Sequence, residues 1–392
     1  MTRYLIIGNG VAGTTAAENI RKQDKDGDIT IITEEDLPFY SRIRLNEYIA
    51  GDITEQDLQI KKEQWYRDQA ISLNLNTRVS EIRPDKRVVI TSDKEKLVYD
   101  ALLIATGSSS FIPPIKGADK QGVFALRNMQ DGRDIISFAA KIQKVILIGG
   151  GLLGLEAGNA LRRLGKHVTV IEFFPRLLPR QLDKEGAARL KAIMEDMGFS
   201  FRLDAVTEEI TAEDHTGGVV LKGGDFLEGE MVIISAGVRP NKALALSGDI
   251  KCDKGIIVDG HMRTETPGVY AAGDVAESDG RLYGIWPAAM DQGKIAGINM
   301  SGGSIEYGGT AMANTLKVAG IDLASAGEID ADDKFESMIS SDEKIYRKAV
   351  FDGGRVIGCI MLGNTKGFNQ VTKIMNEESD ADGTRDRISE IL

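Results

Sequence analysis

The run Tyr4-Leu5-Ile6-Ile7-Gly8-Asn9-Gly10-Val11-Ala12-Gly13 joins four apolar residues to a spaced set of three glycines. Four such residues in a row read as a short strand buried on both faces. The first glycine permits a tight turn, the second lets a pyrophosphate approach the backbone, and the third lets a helix pack on the strand. A helix is therefore predicted over about Val11–Gln23, with its N-terminal N–H groups facing phosphate charge. The next strand is predicted over Asp28–Thr33, and Glu34 stands at its end, 21 positions past Gly13, placed to accept hydrogen bonds from an adenosine ribose. A lone glycine triplet is weak. Strand before, helix after and acid on schedule together make it a dinucleotide-binding half.

The same architecture recurs. A predicted strand over Lys144–Ile148 runs into Gly149-Gly150-Gly151-Leu152-Leu153-Gly154, a helix is predicted over about Leu152–Leu164 and a strand over His167–Ile171, and Glu172 lies 18 positions past Gly154. Two cradles imply two bound dinucleotides. A carboxylate at Glu172 holds a ribose 2′-hydroxyl and repels a 2′-phosphate, which favours NADH over NADPH; Arg176 and Arg180 just downstream read as solvated charges at a helix start. Val145–Leu161 is the longest apolar stretch, but its glycines, Glu156 and Asn159 fit strand, turn and helix rather than a membrane span.

The 392 residues are enough for two or three cores, and the net charge of −11 argues against a nucleic-acid surface. Met1-Thr2-Arg3 runs straight into the first strand without a signal-peptide pattern, so a cytoplasmic location is expected. Only two cysteines occur. They build no iron–sulfur cluster or structural zinc site, so no metal site is expected, and no CxxC spacing suggests a catalytic disulfide. Cys359, in an apolar run, reads as a buried structural thiol, and nothing near Cys252 looks like a redox motif.

Pro113-Pro114 after Ser108-Ser109-Ser110 marks an exit from the first domain, and Arg239-Pro240-Asn241 an exit from the second. From about Ala311 onward charged, alternating strands appear, Ile345–Phe351 and Arg355–Leu362, joined by the hairpin signal Asp352-Gly353-Gly354. The tail after Met375, with Glu377-Glu378-Ser379-Asp380, reads as exposed, ending in a short helix over Ile388–Leu392. The expected fold is α/β: two Rossmann-like dinucleotide-binding domains, 1–110 with 241–308 and 111–240, plus a small α+β domain over 309–392.

At this point the chain resembles the FAD/NAD-linked reductases related to glutathione reductase, over nearly its whole length. The resemblance rests on both glycine fingerprints, on Leu103-Ile104-Ala105-Thr106-Gly107, on Ala236-Gly237-Val238-Arg239-Pro240-Asn241, and above all on Thr264-Glu265-Thr266-Pro267-Gly268-Val269-Tyr270-Ala271-Ala272-Gly273-Asp274. It implies FAD at the first cradle, contacted by Gly8, Gly10, Val11, Ala12, Gly13, Glu34, Arg42, Val79, Ala105, Thr106, Gly107, Gly273 and Asp274, with Asp274 on the ribityl chain. NADH is implied at the second, contacted by Gly149, Gly151, Leu152, Leu153, Gly154, Glu172 and Gly237. In the helix beginning near Trp286-Pro287, related reductases aim the N-terminus at the flavin pyrimidine edge, where its positive end stabilises the charge left by hydride uptake.

Where disulfide-active relatives carry redox cysteines, this chain has Leu37-Pro38-Phe39-Tyr40-Ser41-Arg42-Ile43-Arg44-Leu45-Asn46-Glu47. That segment, with Thr315–Leu323 near the end, resembles NADH:rubredoxin reductases and the flavin module of NADH-dependent nitrite reductase. Many relatives have a lysine at Glu47, paired with the acid matching Glu156, and this pairing cannot exist here. Glu156 and Trp286 are the candidate catalytic residues. The expected function is NADH oxidation through FAD, with electrons passed to a small redox protein such as rubredoxin. The alternatives are the NADH-oxidising electron-input component of a nitrite reductase system and an NADH-reducible signalling flavoprotein.

Overall fold

The computed structural model describes residues 1–212, 216–310, 314–376 and 383–392. The chain divides into two compact units. The expectations for Ala311 and for Glu377–Asp380 lie outside the described residues.

The first unit comprises Met1–Tyr48, Ile53–Ser109 and Val238–Ala311. Its parallel sheet runs in the order Val269–Ala271, Ala101–Ile104, Arg3–Ile7, Asp28–Ile32 and Ile71–Asn74. Tyr4 through Ile7 and Ala101 through Ile104 are buried because helices cover both faces of a parallel sheet. The strand order reverses between Arg3–Ile7 and Ala101–Ile104, and ligands on such sheets bind beyond the carboxyl ends of the strands at that point. An antiparallel sheet of Val79–Arg83, Val88–Thr91 and Lys96–Val98 accompanies it.

Two helices of this unit meet through their smallest residues. A Cβ placed on Gly293 of helix Trp286–Met300 would lie 2.4 Å from the Ala12 carbonyl oxygen, and one on Gly297 2.5 Å from that of Ala16. Ala12 and Ala16 belong to helix Val11–Gln23, so the backbones touch where larger residues would hold them apart. This contact fixes the late helix against the glycine turn.

The second unit comprises Ile49–Asp52, Ser110–Gly237 and Met312–Leu392. The last segment, expected as a separate domain over 309–392, groups here with the second Rossmann-like sheet while keeping a sheet of its own. The parallel sheet runs Ser200–Arg202, His167–Ile171, Lys144–Ile148, Met231–Ile234, Val123–Phe124. The late sheet is antiparallel, in the order Asn314–Val318, Ile321–Gly327, Arg355–Leu362, Tyr346–Asp352, Glu336–Ser341. Asp352 pairs with Arg355 across Gly353 and Gly354, both at positive φ (56° and 83°), as a two-residue hairpin demands.

The charged strand of that hairpin is not surface alternation. Lys348 is 1% exposed. Its ammonium lies 3.0 Å from Asp183 Oδ2 and donates to the Asp330 carbonyl at 3.1 Å. The Tyr346 hydroxyl donates to the same Asp183 oxygen at 2.6 Å. Asp183 Oδ1 meanwhile accepts from Gly186 N and caps helix Lys184–Asp196. A buried lysine needs such partners, because an unpaired charge in the interior is strongly unfavourable.

Candidate dinucleotide sites

The two glycine turns have the same geometry. Gly8 and Gly149 both sit at φ +112°, and a Cβ on them would fall 2.2 Å from the Ala105 carbonyl oxygen and 2.3 Å from that of Ser235. Gly13 and Gly154 pack their α-carbons against the carbonyls of Gly8 and Gly149, at 2.0 and 2.5 Å from a placed Cβ. Nothing lies within 4 Å of a Cβ on Gly10 or Gly151. The middle glycine of each cradle therefore opens onto free space at a helix N-terminus, as a pyrophosphate requires. Val11 and Ala12 begin one helix, and Leu152 and Leu153 the other.

Around the first cradle, Thr106 and Gly107 are laced to the returning chain. Thr106 Oγ1 donates to the Asn241 carbonyl at 3.0 Å, Asn241 N to the Gly107 carbonyl at 2.9 Å, and Asn241 Nδ2 to the Thr106 carbonyl at 2.9 Å. Gly273 N donates to Gln292 Oε1 at 2.9 Å, which ties the Asp274 turn to the late helix. The Asp274 carboxylate accepts from Ser108 Oγ at 2.7 Å and adds to the field that holds the Arg42 guanidinium charged against its burial. Arg42 itself pairs with Glu35, which also accepts from the Tyr40 hydroxyl. Glu34 is two-thirds exposed, 3.8 Å from Arg78, with its carboxylate in solvent. Val79 opens the antiparallel sheet opposite Thr91.

Trp286 is half-buried and begins its helix, so Pro287 takes the second helical position. The Trp286 ring lies 5.9 Å from that of Phe39. Phe39 N donates to the Tyr66 hydroxyl at 3.1 Å, Tyr66 to Asn9 Oδ1 at 2.9 Å, and Thr14 Oγ1 to the same oxygen at 3.2 Å. Asn9 Nδ2 is buried with no acceptor among the described residues. This chain of bonds joins the glycine turn to the aromatic pair. The Asn9–Tyr66–Phe39 network and the Glu35 pairing are not visible in the sequence pattern, although Phe39 lies within, and Glu35 just before, the segment singled out for its lack of cysteines.

At the second cradle Glu172 is only 6% exposed. Its Oε2 accepts from Gly150 N at 2.6 Å and its Oε1 from Phe174 N at 2.8 Å. The carboxylate lies against the middle of the glycine loop and splints it, while each oxygen keeps a second lone pair. Arg176 donates to the carbonyls of Leu182 and Pro179, so it is committed to its own loop and Arg180 stands exposed beyond it. Gly237 at φ +97° closes the loop after Ser235. Glu156 Oε1 accepts from Ala319 N at 2.6 Å, and Glu47 pairs instead with Arg44 at 2.8 Å. No helix among the described residues is long and apolar enough to cross a membrane.

Duplicated parallel sheets, each ending in a phosphate cradle with an acid at the neighbouring strand, define a two-dinucleotide oxidoreductase. The chain belongs to the pyridine nucleotide-disulphide oxidoreductase family, whose profile matches residues 2–293; the rubredoxin NAD+ reductase C-terminal domain matches 313–379. It is 36% identical over 97% of its length to a nitrite reductase [NAD(P)H] of Bacillus subtilis (strain 168), of which it covers 48%. It is 31% identical over 95% of its length to the NADH-rubredoxin oxidoreductase of Clostridium acetobutylicum, of which it covers 97%. The solved NADH:rubredoxin oxidoreductase from Clostridium acetobutylicum superposes with a TM-score of 0.85 at 29% identity, each chain covered fully. The chain spans about half the length of the Bacillus nitrite and nitrate reductase relatives it matches.

Proposed function

We propose that this chain oxidises NADH through bound FAD and passes the electrons to a small redox protein of the rubredoxin type. The observation that carries the proposal is the pair of cradles with matching glycine geometry, each open at its middle glycine and each flanked by different accessory groups. Gly8, Gly10, Val11, Ala12, Gly13, Glu34, Arg42, Val79, Ala105, Thr106, Gly107, Gly273 and Asp274 would hold FAD, and the orphaned Asn9 amide fits a site whose polar partner is a ligand or its water. Gly149, Gly151, Leu152, Leu153, Gly154, Glu172 and Gly237 would hold NADH. Bound FAD supplies the hydride acceptor and a store from which electrons leave singly.

The protein's own part is alignment and field. Helix Trp286–Met300 offers three free N–H groups and its positive end, which favour negative charge on whatever lies before it. Phe39 and Trp286 form an apolar cover beside that terminus and keep water away. Glu172 rejects a 2′-phosphate by its charge, so NADH is the donor and NADPH a poor substitute. Both cysteines are free thiols, and Cys359 is buried with its thiol pushed up to about 12 by desolvation, which suits electron transfer without a redox disulfide and a cytoplasmic setting.

A second reading makes the chain the NADH-oxidising input module of a nitrite-reducing system. The B. subtilis nitrite reductase relative, matched across 97% of this chain, favours it. Anaerobic mixing of the FAD-loaded protein with NADH tests the core proposal: the flavin absorbance bleaches within the mixing experiment, and persistence of oxidised flavin refutes it. Steady-state turnover with rubredoxin, and with a siroheme-containing partner protein, then separates the two readings. A protein that reduces every acceptor slowly is a signalling flavoprotein instead.

A further inference from the structure

The glycine loop of the second cradle is splinted on one side by Glu172, through Gly150 N. Its other side leads into helix Leu152–Arg163, and there the late sheet intervenes. Val318 pairs with Ile321 in a two-residue hairpin whose central residues, Ala319 and Gly320, both have positive φ, +52° and +86°. Glycine adopts this conformation freely; alanine does so only where its surroundings impose it. Ala319 is buried in the same core as Leu155 and Leu161 of that helix, and a two-residue hairpin leaves its N–H unused by the ladder. That N–H is spent on Glu156, 2.6 Å away, in the second turn of the helix.

We propose that the Ala319–Gly320 turn positions Glu156, and that this hydrogen bond clamps the first turn of helix Leu152–Arg163 so that its free N–H groups stay aimed at a dinucleotide pyrophosphate. Glu156 is thus a positioning residue, and the late sheet is a working part of the second cradle. Helical side chains lean toward the N-terminus, so Glu156 reaches back over Leu152 and Leu153, the residues that open the cradle helix. A loop of three consecutive glycines has little stiffness of its own, which is why it needs a clamp at each end.

The inference rests on the reading of the second cradle as the NADH site. It is tested on the full-length, FAD-loaded chain with NAD+ as the probe, by calorimetric titration, and with amide hydrogen exchange at Ala319. Glu156→Ala removes the acceptor: NAD+ binding weakens about tenfold, the loss of one charge-assisted hydrogen bond, and the Ala319 amide exchanges faster. Glu156→Gln keeps an acceptor oxygen and restores both affinity and protection to within about twofold of wild type. Wild-type affinity in Glu156→Ala, with or without faster exchange, overturns the clamp. Equal loss in Glu156→Gln and Glu156→Ala, with Ala319 still protected in Glu156→Gln, also overturns it, since charge and not the clamp then governs binding. Failure of the wild-type chain to bind NAD+ instead overturns the functional reading itself.

Discussion

Replacing Gly293 by alanine tests the contact on which the first cradle depends. The added Cβ would stand 2.4 Å from the Ala12 carbonyl oxygen and 2.9 Å from its α-carbon. The obstructing atoms are backbone, so no side-chain rotation relieves the clash. Reaching ordinary contact near 3.4 Å requires the helices to part by about 1 Å, and overpacking of this kind destabilises by about 1–3 kcal/mol. Alanine regains about 1 kcal/mol of helix propensity over glycine. The net is a loss of up to about 2 kcal/mol for Gly293→Ala and similar for Gly297→Ala, whose Cβ meets the Ala16 carbonyl. In a chain of this size that lowers the thermal midpoint by up to about 2 °C. Because Ala12 lies in the first turn of the cradle helix, FAD also leaves faster on dilution, read as the rise in free-flavin fluorescence. Gly308→Ala, with nothing within 4 Å of its Cβ, serves as the neutral control. A Gly293→Ala protein that melts at or above the wild-type temperature and keeps its flavin refutes the close-packed crossing.

Glu172→Ala frees the Gly150 and Phe174 amides and removes the negative charge; the KM for NADH rises about tenfold while the preference over NADPH narrows, and unchanged preference in initial rates argues against the assignment. Lys348→Met strands Asp183 in the interior and lowers stability by about 3 kcal/mol in urea titration, whereas a neutral result means the network is solvated. Burial pushes the hydroxyls of Tyr4, Tyr99 and Tyr307 up to about 12, Tyr4 aided by its bond to Asp24. Since unfolded tyrosines ionise near about pH 10, this stability is complete below that pH and is lost as pH rises toward 12. Alkaline unfolding followed at 295 nm is thus expected to coincide with tyrosine ionisation; free titration of all nine tyrosines in a folded protein excludes it.

Both cradles were legible from local pattern, because turn, phosphate approach and helix packing each demand a glycine at a fixed offset. The Asp274 turn was legible for a similar reason, through an eleven-residue run. What escaped were contacts whose partners lie far apart in sequence. Lys348 in an alternating charged strand reads as a surface residue until Asp183, on another element, neutralises it. Glu156 reads as an acid awaiting a lysine, and no periodicity reveals that a hairpin amide has taken it. Glu172 was found as an acid, but its inward pose depends on the Gly150 and Phe174 amides, which side-chain identity does not encode.

The near-identity of the two glycine turns bears on residence time. If the same scaffold grips a cofactor that must remain and a donor that must depart each cycle, the turn itself cannot set the difference in lifetime. That difference has to come from grips added around only one copy: the segment that returns to the first unit after residue 238, bringing Asp274 and a second helix end. Grafting such a returning segment beside the other copy is then a rational way to turn a passing dinucleotide into a resident one, and trimming it a way to make the flavin exchangeable.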